Sequence, residues 1–239
     1  MSDAPAITQD MQTHSTFSDG ADTLEANAAA AAAAGLVEMT CTDHVRASTD
    51  WLPAYVAEIE RVRELAPVRL VCGVEAKILD TTGRLDLPAE LPAGIEVVYA
   101  ADHQVALDDG PNHPDAVRER LASGALDAHD VVRQIVTATH ACLDRPEKVV
   151  IAHLFSILPK IGVRQEDVPL ELLEWLADET ARTGQRIEVN ERYGTPIART
   201  LQPFVDRGVR VLVSTDSHRA DTIGRYDHCL EVLRELRLL

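Results

Sequence analysis

Apolar residues in this chain gather in short runs that recur from end to end, at residues 7–11, 36–41, 68–74, 95–101, 149–152, 186–189 and 209–213. Runs without polar alternation suit strands buried on both faces, as in a parallel sheet covered by helices. Between them, the stretches near 127–143, 170–183, 196–207 and 225–236 repeat apolar positions every three or four residues, which predicts amphipathic helices. Gly184 and Gly208 punctuate the last two returns from helix to strand.

Two further helices are written more locally. Asp22 with Glu25 three residues on reads as a capping box, the alanine-rich stretch to Ala34 has high helix propensity, and Gly35 suits a left-handed cap. Pro53 stands where a first helical turn tolerates proline and opens a helix to about Leu65. The resulting βα alternation with seven strands predicts an α/β chain folded as one seven-stranded barrel, a doubly wound open sheet being the competitor. Residues 102–128 break the rhythm with two prolines and a short amphipathic stretch. They read either as an active-site lid or as an ordinary surface excursion.

Composition changes this picture little. With 239 residues, 46% of them hydrophobic, the chain can bury one full core, and no linker-like stretch divides it. The opening Met1–Ala6 has no basic or apolar leader character, and about 18 uninterrupted apolar residues occur nowhere, so a cytoplasmic protein with no membrane partner is expected. Cys41, Cys72, Cys142 and Cys229 lack CxxC spacing and read as reduced core thiols. A formal net charge of −16 argues against a nucleic-acid partner, whose binding depends on Lys and Arg displacing counterions.

The chemistry lies just beyond the strands. Gln12, His14, Asp19, His44, Glu75, His103, His153, Asp216 and His218 each fall at or just past the end of an apolar run, where barrels gather their functional groups. Imidazole with carboxylate suits zinc, manganese or iron, and a carboxylate can bridge two cations, which makes Glu75 the natural bridge. Five of the nine histidines occupy such places; His113, His129, His140 and His228 do not, and read as ordinary polar residues. Ser15 and Ser217 flank ligands and read as turn residues that orient them.

In this order the motifs resemble the PHP (polymerase and histidinol phosphatase) superfamily of metal-dependent phosphoesterases. The resemblance runs through the Gln12-Thr13-His14-Ser15 opening with Ser18-Asp19-Gly20, Thr42-Asp43-His44, Gly73-Val74-Glu75, His103, Ala152-His153, Glu188-Val189-Asn190 and Ser214-Thr215-Asp216-Ser217-His218. It implies a distorted (βα)7 TIM-like barrel and two to three divalent ions. By position, Gln12, His14, Glu75 and Asp216 would hold one, Glu75, His103 and His153 a second, and Asp19, His44 and His218 a third. Asp19, Glu75, Asp216 and His218 would be the catalytic group. Gln12 stands where the family has histidine, and an amide oxygen is the weaker ligand for zinc.

The activity implied is hydrolysis of a small phosphorylated metabolite by a metal-activated hydroxide, as in the family's histidinol-phosphate phosphatases. Arg46, Lys77, Arg192 and Arg219 lie just past strand ends and are the expected phosphate contacts. Glu188 and Asn190 would shape the same wall, with Glu188 free to pair with a cation at the core edge. His153 and Asp216 are expected at the functional surface. Two other readings are an amidohydrolase-like barrel acting on C–N or lactone bonds, and a metal-binding module whose catalysis is disabled at Gln12.

Overall fold

The computed structural model describes residues 7–239, so the reading of Met1–Ala6 lies outside the described residues. Strands follow the apolar runs: β1 (Gln9–Thr13), β2 (Glu38–Cys41), β3 (Arg69–Lys77), β4 (Val97–Ala101), a hairpin of β5 (Val105–Leu107) and β6 (Gly110–Asn112), then β7 (Val149–Ala152), β8 (Arg186–Asn190) and β9 (Arg210–Ser214). All but the hairpin join one sheet in the order β1-β2-β3-β4-β7-β8-β9, every neighbouring pair parallel. The sheet curls until its edges meet. Thr13 bridges Ser217, and the His14 amide donates to the Ser217 carbonyl at 2.8 Å.

The rest of that seam is held by side chains. Asp10 accepts from the Thr215 amide at 2.9 Å and the Gly224 amide at 3.2 Å, while the Tyr226 hydroxyl donates to the Gln9 carbonyl at 2.8 Å. The result is a nearly closed seven-stranded barrel, the predicted fold. Helices α1 (Leu24–Ala33), α2 (Leu52–Arg63), α3 (Pro114–Ala122), α4 (Ala128–Ala141), α5 (Leu170–Thr183), α6 (Ala198–Asp206) and α7 (His228–Glu235) accompany it. Among the described residues no helix is long and apolar enough to cross a membrane.

Strand periodicity then sorts the side chains. On β3, Leu70, Cys72, Val74 and Ala76 belong to the large outer core, whereas Val71 belongs to a smaller cluster with Met11, Val97, Tyr99, Val150 and Leu212 that fills the barrel. Glu75 shares the phase of Val71, as Glu188 and Asn190 share that of Arg186, so the phase that carries apolar residues in mid-barrel carries polar ones at the site. Gly73 occupies the same phase, and a Cβ there would meet Val97 Cγ1 at 2.9 Å.

Two local readings change. The N-cap of α1 is Thr23, whose hydroxyl accepts from the Ala26 amide at 3.3 Å; Asp22 instead accepts from the Ala220 amide at 2.8 Å. Residues 102–128 form the hairpin and α3, anchored by Val105, Ala106, Leu107 and Val117 in the core. All four cysteines are free and buried, and burial pushes the thiols of Cys72 and Cys142 up to about 12. Since the thiolate is the reactive form, a thiol reagent at about pH 8 is expected to label none of the four until the protein is unfolded. Rapid labelling of the native protein would contradict their placement.

Candidate metal centre

Strand ends and the loops beyond them supply every polar group of the site. Glu75 is its hub: Oε2 lies 2.9 Å from His44 Nδ1 and 3.5 Å from His14 Nε2, while Oε1 lies 2.9 Å from His153 Nε2 and 3.2 Å from His103 Nε2. A carboxylate that presents one oxygen to each of two imidazole pairs has the form of a bridge. His14, Asp19, His44 and His218 make a second gathering, all with ligand atoms within 4.8 Å of one another. His14 also reaches Asp216, with Nε2 3.1 Å from Oδ1.

These contacts test whether cations fit. His14 Nδ1 and Nε2, Glu75 Oε2, Asp216 Oδ1 and Gln12 Nε2 are all buried without a hydrogen-bond partner. The His14 and Asp216 atoms approach each other but do not align as donor and acceptor. Leaving buried polar atoms unmatched costs about 1–3 kcal/mol each, and a divalent ion would offset that for the nitrogens and carboxylate oxygens. It would do nothing for an amide NH2. Gln12 Oε1 accepts from Asn190 Nδ2 at 3.3 Å, and that same NH2 donates to Glu188 Oε1 at 3.0 Å and lies 3.4 Å from Asp216 Oδ2. Gln12 therefore shares its oxygen with Asn190.

Strained backbone aims two of these groups. His153 has φ of 28° and Asp216 φ of 52°, both in the left-handed region, a conformation that costs non-glycine residues energy and concentrates at functional sites. His153 is held there by its amide, which donates to Glu188 Oε1 at 2.6 Å, and by Asp102 Oδ1, 3.2 Å from Nδ1. Asp102 is fixed in turn by the Ser156 hydroxyl at 2.6 Å. With Nδ1 engaged, His153 turns Nε2 to Glu75.

A cavity of about 670 Å³ opens over these groups. Asp19, His44, Glu75, His103 and His218 border it, as do Arg46, Lys77, Lys160 and Arg192, with Phe17, Trp51 and Tyr193 as aromatic walls. The PHP domain profile matches residues 10–192, most of the chain. The chain belongs to the PHP domain family. A probable phosphatase of Acetivibrio thermocellus is 26% identical over 95% of this chain and 86% of its own length. A probable phosphatase of Caldanaerobacter subterraneus subsp. tengcongensis is 24% identical over 96% and 83%. The crystal structure of histidinol phosphate phosphatase from Lactococcus lactis, complexed with zinc, L-histidinol and phosphate, superposes with a TM-score of 0.68 at 18% identity, covering 96% of this chain and 92% of that one. At that identity the likeness shows the shared fold.

Eight of the nine residues expected as ligands come together around Glu75 and His14, and Gln12 lies beside them facing Asn190. Of the four expected phosphate contacts, Arg46, Lys77 and Arg192 border the cavity. Arg219 does not: its guanidinium pairs with Asp221 at 3.1 Å beside a separate recess. His153 and Asp216 are buried beneath the mouth rather than at the surface. Among the described residues no Lys or Arg pairs with Glu188; it is buried and accepts from the His153 amide, Asn190 and, at 2.6 Å, the Ser214 hydroxyl. Of residues 102–128 only His103 borders the cavity, while the hairpin and α3 pack on the core through Val105, Ala106, Leu107 and Val117, as a surface excursion does.

Several PHP-site groups leave no mark in the sequence. Asp102 adjoins His103 in the chain, but only the fold shows it serving His153. Lys160 enters from the loop after β7, its Nζ 5.3 Å from the Tyr193 ring centre. The background histidines are where their roles suggest: His113 caps α3, His129 lies in the exposed first turn of α4, His140 stacks on Trp175, and His228 Nε2 meets the Pro196 carbonyl at 3.3 Å.

Protonation of the metal-free PHP centre follows from these contacts. Burial opposes charge on His14 and His153, but Asp216 with Glu75 raises His14 to about 9, and Asp102 with Glu75 holds His153 well above the usual imidazole range. Burial raises Asp10 to about 6 and Glu188 to about 7. Groups with raised folded pKa values favour the fold below their unfolded values, and that advantage is lost as pH rises through the folded ones. Glu75 and Asp216, which burial alone would raise, are held low by the histidines, so their contribution is lost only in acid. Chelated protein is therefore expected to melt highest near pH ~5–6 and lower toward pH ~9, with added manganese or zinc removing the alkaline decline. A chelated protein that melts higher at the alkaline end would contradict this assignment.

Proposed function

We propose that this chain is a metal-dependent hydrolase of a small phosphate monoester, working with two or three divalent ions, zinc, manganese or iron, at one polynuclear centre. The observation that carries the reading is Glu75, a single buried carboxylate facing four imidazoles at the floor of a cation-lined cavity. Asp19, Glu75, Asp216 and His218 form the reacting group together with His14, His44, His103 and His153 as ligands. Ions held there lower the pKa of a coordinated water and neutralise charge on phosphoryl oxygens. Arg192, Lys77, Arg46 and Lys160 orient the phosphate; Arg219 pairs with Asp221 and does not border the cavity.

The relatives named as probable phosphatases support this bond class. A screen of phosphomonoesters, amides and lactones in manganese and in zinc tests it: release of orthophosphate without amide or lactone cleavage is expected. Turnover confined to C–N or lactone bonds would overturn it in favour of an amidohydrolase reading.

Gln12 sets the first ion apart. Gln12→His would add a nitrogen donor beside His14 and Asp216, and Asn190 would keep its contact with Glu188 at 3.0 Å. Zinc retention is expected to rise at least about tenfold, the lower end of effects seen on altering a ligand's surroundings, measured by competition with a chelator. The native chain should already turn over. Activity that appears only in Gln12→His would mark the native chain as a binding module.

A further inference from the structure

The end of the barrel opposite the PHP centre carries a second concentration of charge. A recess of about 170 Å³ opens there among Glu38, Arg69, Glu96, Lys148, Arg186 and Arg210, with Tyr99 and Val150 of the barrel interior below. Each of the six begins a strand or immediately precedes one. Glu38 is engaged by Arg69 at 2.9 Å, and Glu96 by Arg63 of α2 and by the Cys72 amide at 2.8 Å. Lys148, Arg186 and Arg210 remain. Among the described residues none of these three has a carboxylate within 4.0 Å.

Arg186 and Arg210 are direct register partners on β8 and β9. Like charges side by side on adjacent strands destabilise a sheet, and this chain has 39 carboxylates against 23 basic side chains from which to match them. We propose that this recess binds a tetrahedral oxyanion of the phosphate or sulfate type, held by the guanidinium forks of Arg186 and Arg210 with Lys148 as a point charge. Its volume lies well under the roughly 300 Å³ at which drug-sized ligand sites begin, so a single inorganic anion fits and a nucleotide does not. Bound there, the anion joins the starts of β7, β8 and β9. The inference stands apart from the metal chemistry, since none of its residues borders the cavity over Glu75.

The test is a melting titration with orthophosphate and with sulfate at constant ionic strength made up with chloride, in chelator, on the wild type, Arg186→Gln/Arg210→Gln and Arg192→Gln. The wild type and Arg192→Gln should gain about 3 °C or more by tens of millimolar anion, and the double variant should gain at most half of that. In chloride alone the double variant should melt no lower than the wild type, because its repulsion is relieved. If it fails to fold, Lys148→Gln must reduce the gain instead. No gain over chloride in the wild type, or an undiminished gain in the double variant and in Lys148→Gln, would overturn the proposal.

Discussion

Glu75→Gln is expected to lower phosphate-ester turnover by at least about three orders of magnitude, a loss of about 4 kcal/mol of transition-state stabilisation. The swap keeps shape and volume and removes one charge, at the position whose two oxygens face His44 and His153 at 2.9 Å each. An amide has a single oxygen to offer and presents an NH2 on the other side, so bridging fails. The side chain is 1% exposed, and because glutamine matches its shape and volume the variant is expected to fold, which circular dichroism checks. The checks are steady-state orthophosphate release and metal content of the purified variant, which should fall by at least one ion per chain. Activity within tenfold of the wild type would remove Glu75 from its role as hub. His113→Ala, at an exposed cap of α3, serves as the neutral comparison.

Asp43→Ala is expected to be the most destabilising single change near the site, by about 3–5 kcal/mol. That corresponds to roughly 10 °C in melting midpoint for a chain of this size. The fully buried carboxylate accepts four donors: the Ser15 amide at 2.9 Å, the Ser15 hydroxyl at 2.7 Å, the Ser18 amide at 3.0 Å and the Ser18 hydroxyl at 2.7 Å. It therefore ties the loop that carries His14 and Asp19 to the end of β2. Gly20 closes that loop against the His14 backbone, where a Cβ would come within 2.5 Å of the His14 carbonyl. Asp43→Asn keeps one acceptor oxygen and should lose less, because the serine hydroxyls can turn to accept from its NH2. Chemical denaturation measures both variants; a loss below about 1 kcal/mol for alanine would mean that the loop is held elsewhere.

The barrel is legible in the sequence because buried parallel strands are nearly continuous apolar runs, and seven such runs recur at helix-length intervals. The candidate ligands are legible for a related reason: a strand end is a fixed place in the fold, so His44, His103 and His153 can be read by position. Residues whose partners lie far along the chain cannot. Asp22 reads as a cap because Glu25 follows it, yet it serves Ala220, 198 residues away, and Thr23 takes the cap. Asp102 finds His153 across 51 residues. Arg219 shows the converse. Its place after His218 suggests phosphate, but Asp221 two residues on takes the guanidinium first.

Burial separates the remaining readings. Function alone would place Asp216 and His153 at the surface, whereas a closed barrel mouth lets a ligand point inward from the top of a strand and remain covered. Glu188 invites a Lys or Arg, yet among the described residues its two oxygens are matched by an amide NH2, a backbone amide and a hydroxyl. Lys160 leaves no sequence signal, since a lysine in a loop is ordinary until the loop is folded over a cavity. The apolar Val105, Ala106 and Leu107 do mark residues 102–128 as packed.

Divalent ions gathered around Glu75 are expected to make this chain a phosphomonoesterase. Turnover measured against metal per chain during stepwise refilling of chelated protein tests it most directly, with orthophosphate release and elemental content read on the same samples. Stripped protein should show no turnover, and refilling should raise it to a plateau at two to three ions per chain. Turnover without metal, or saturation with metal and no release from any phosphomonoester, would contradict it.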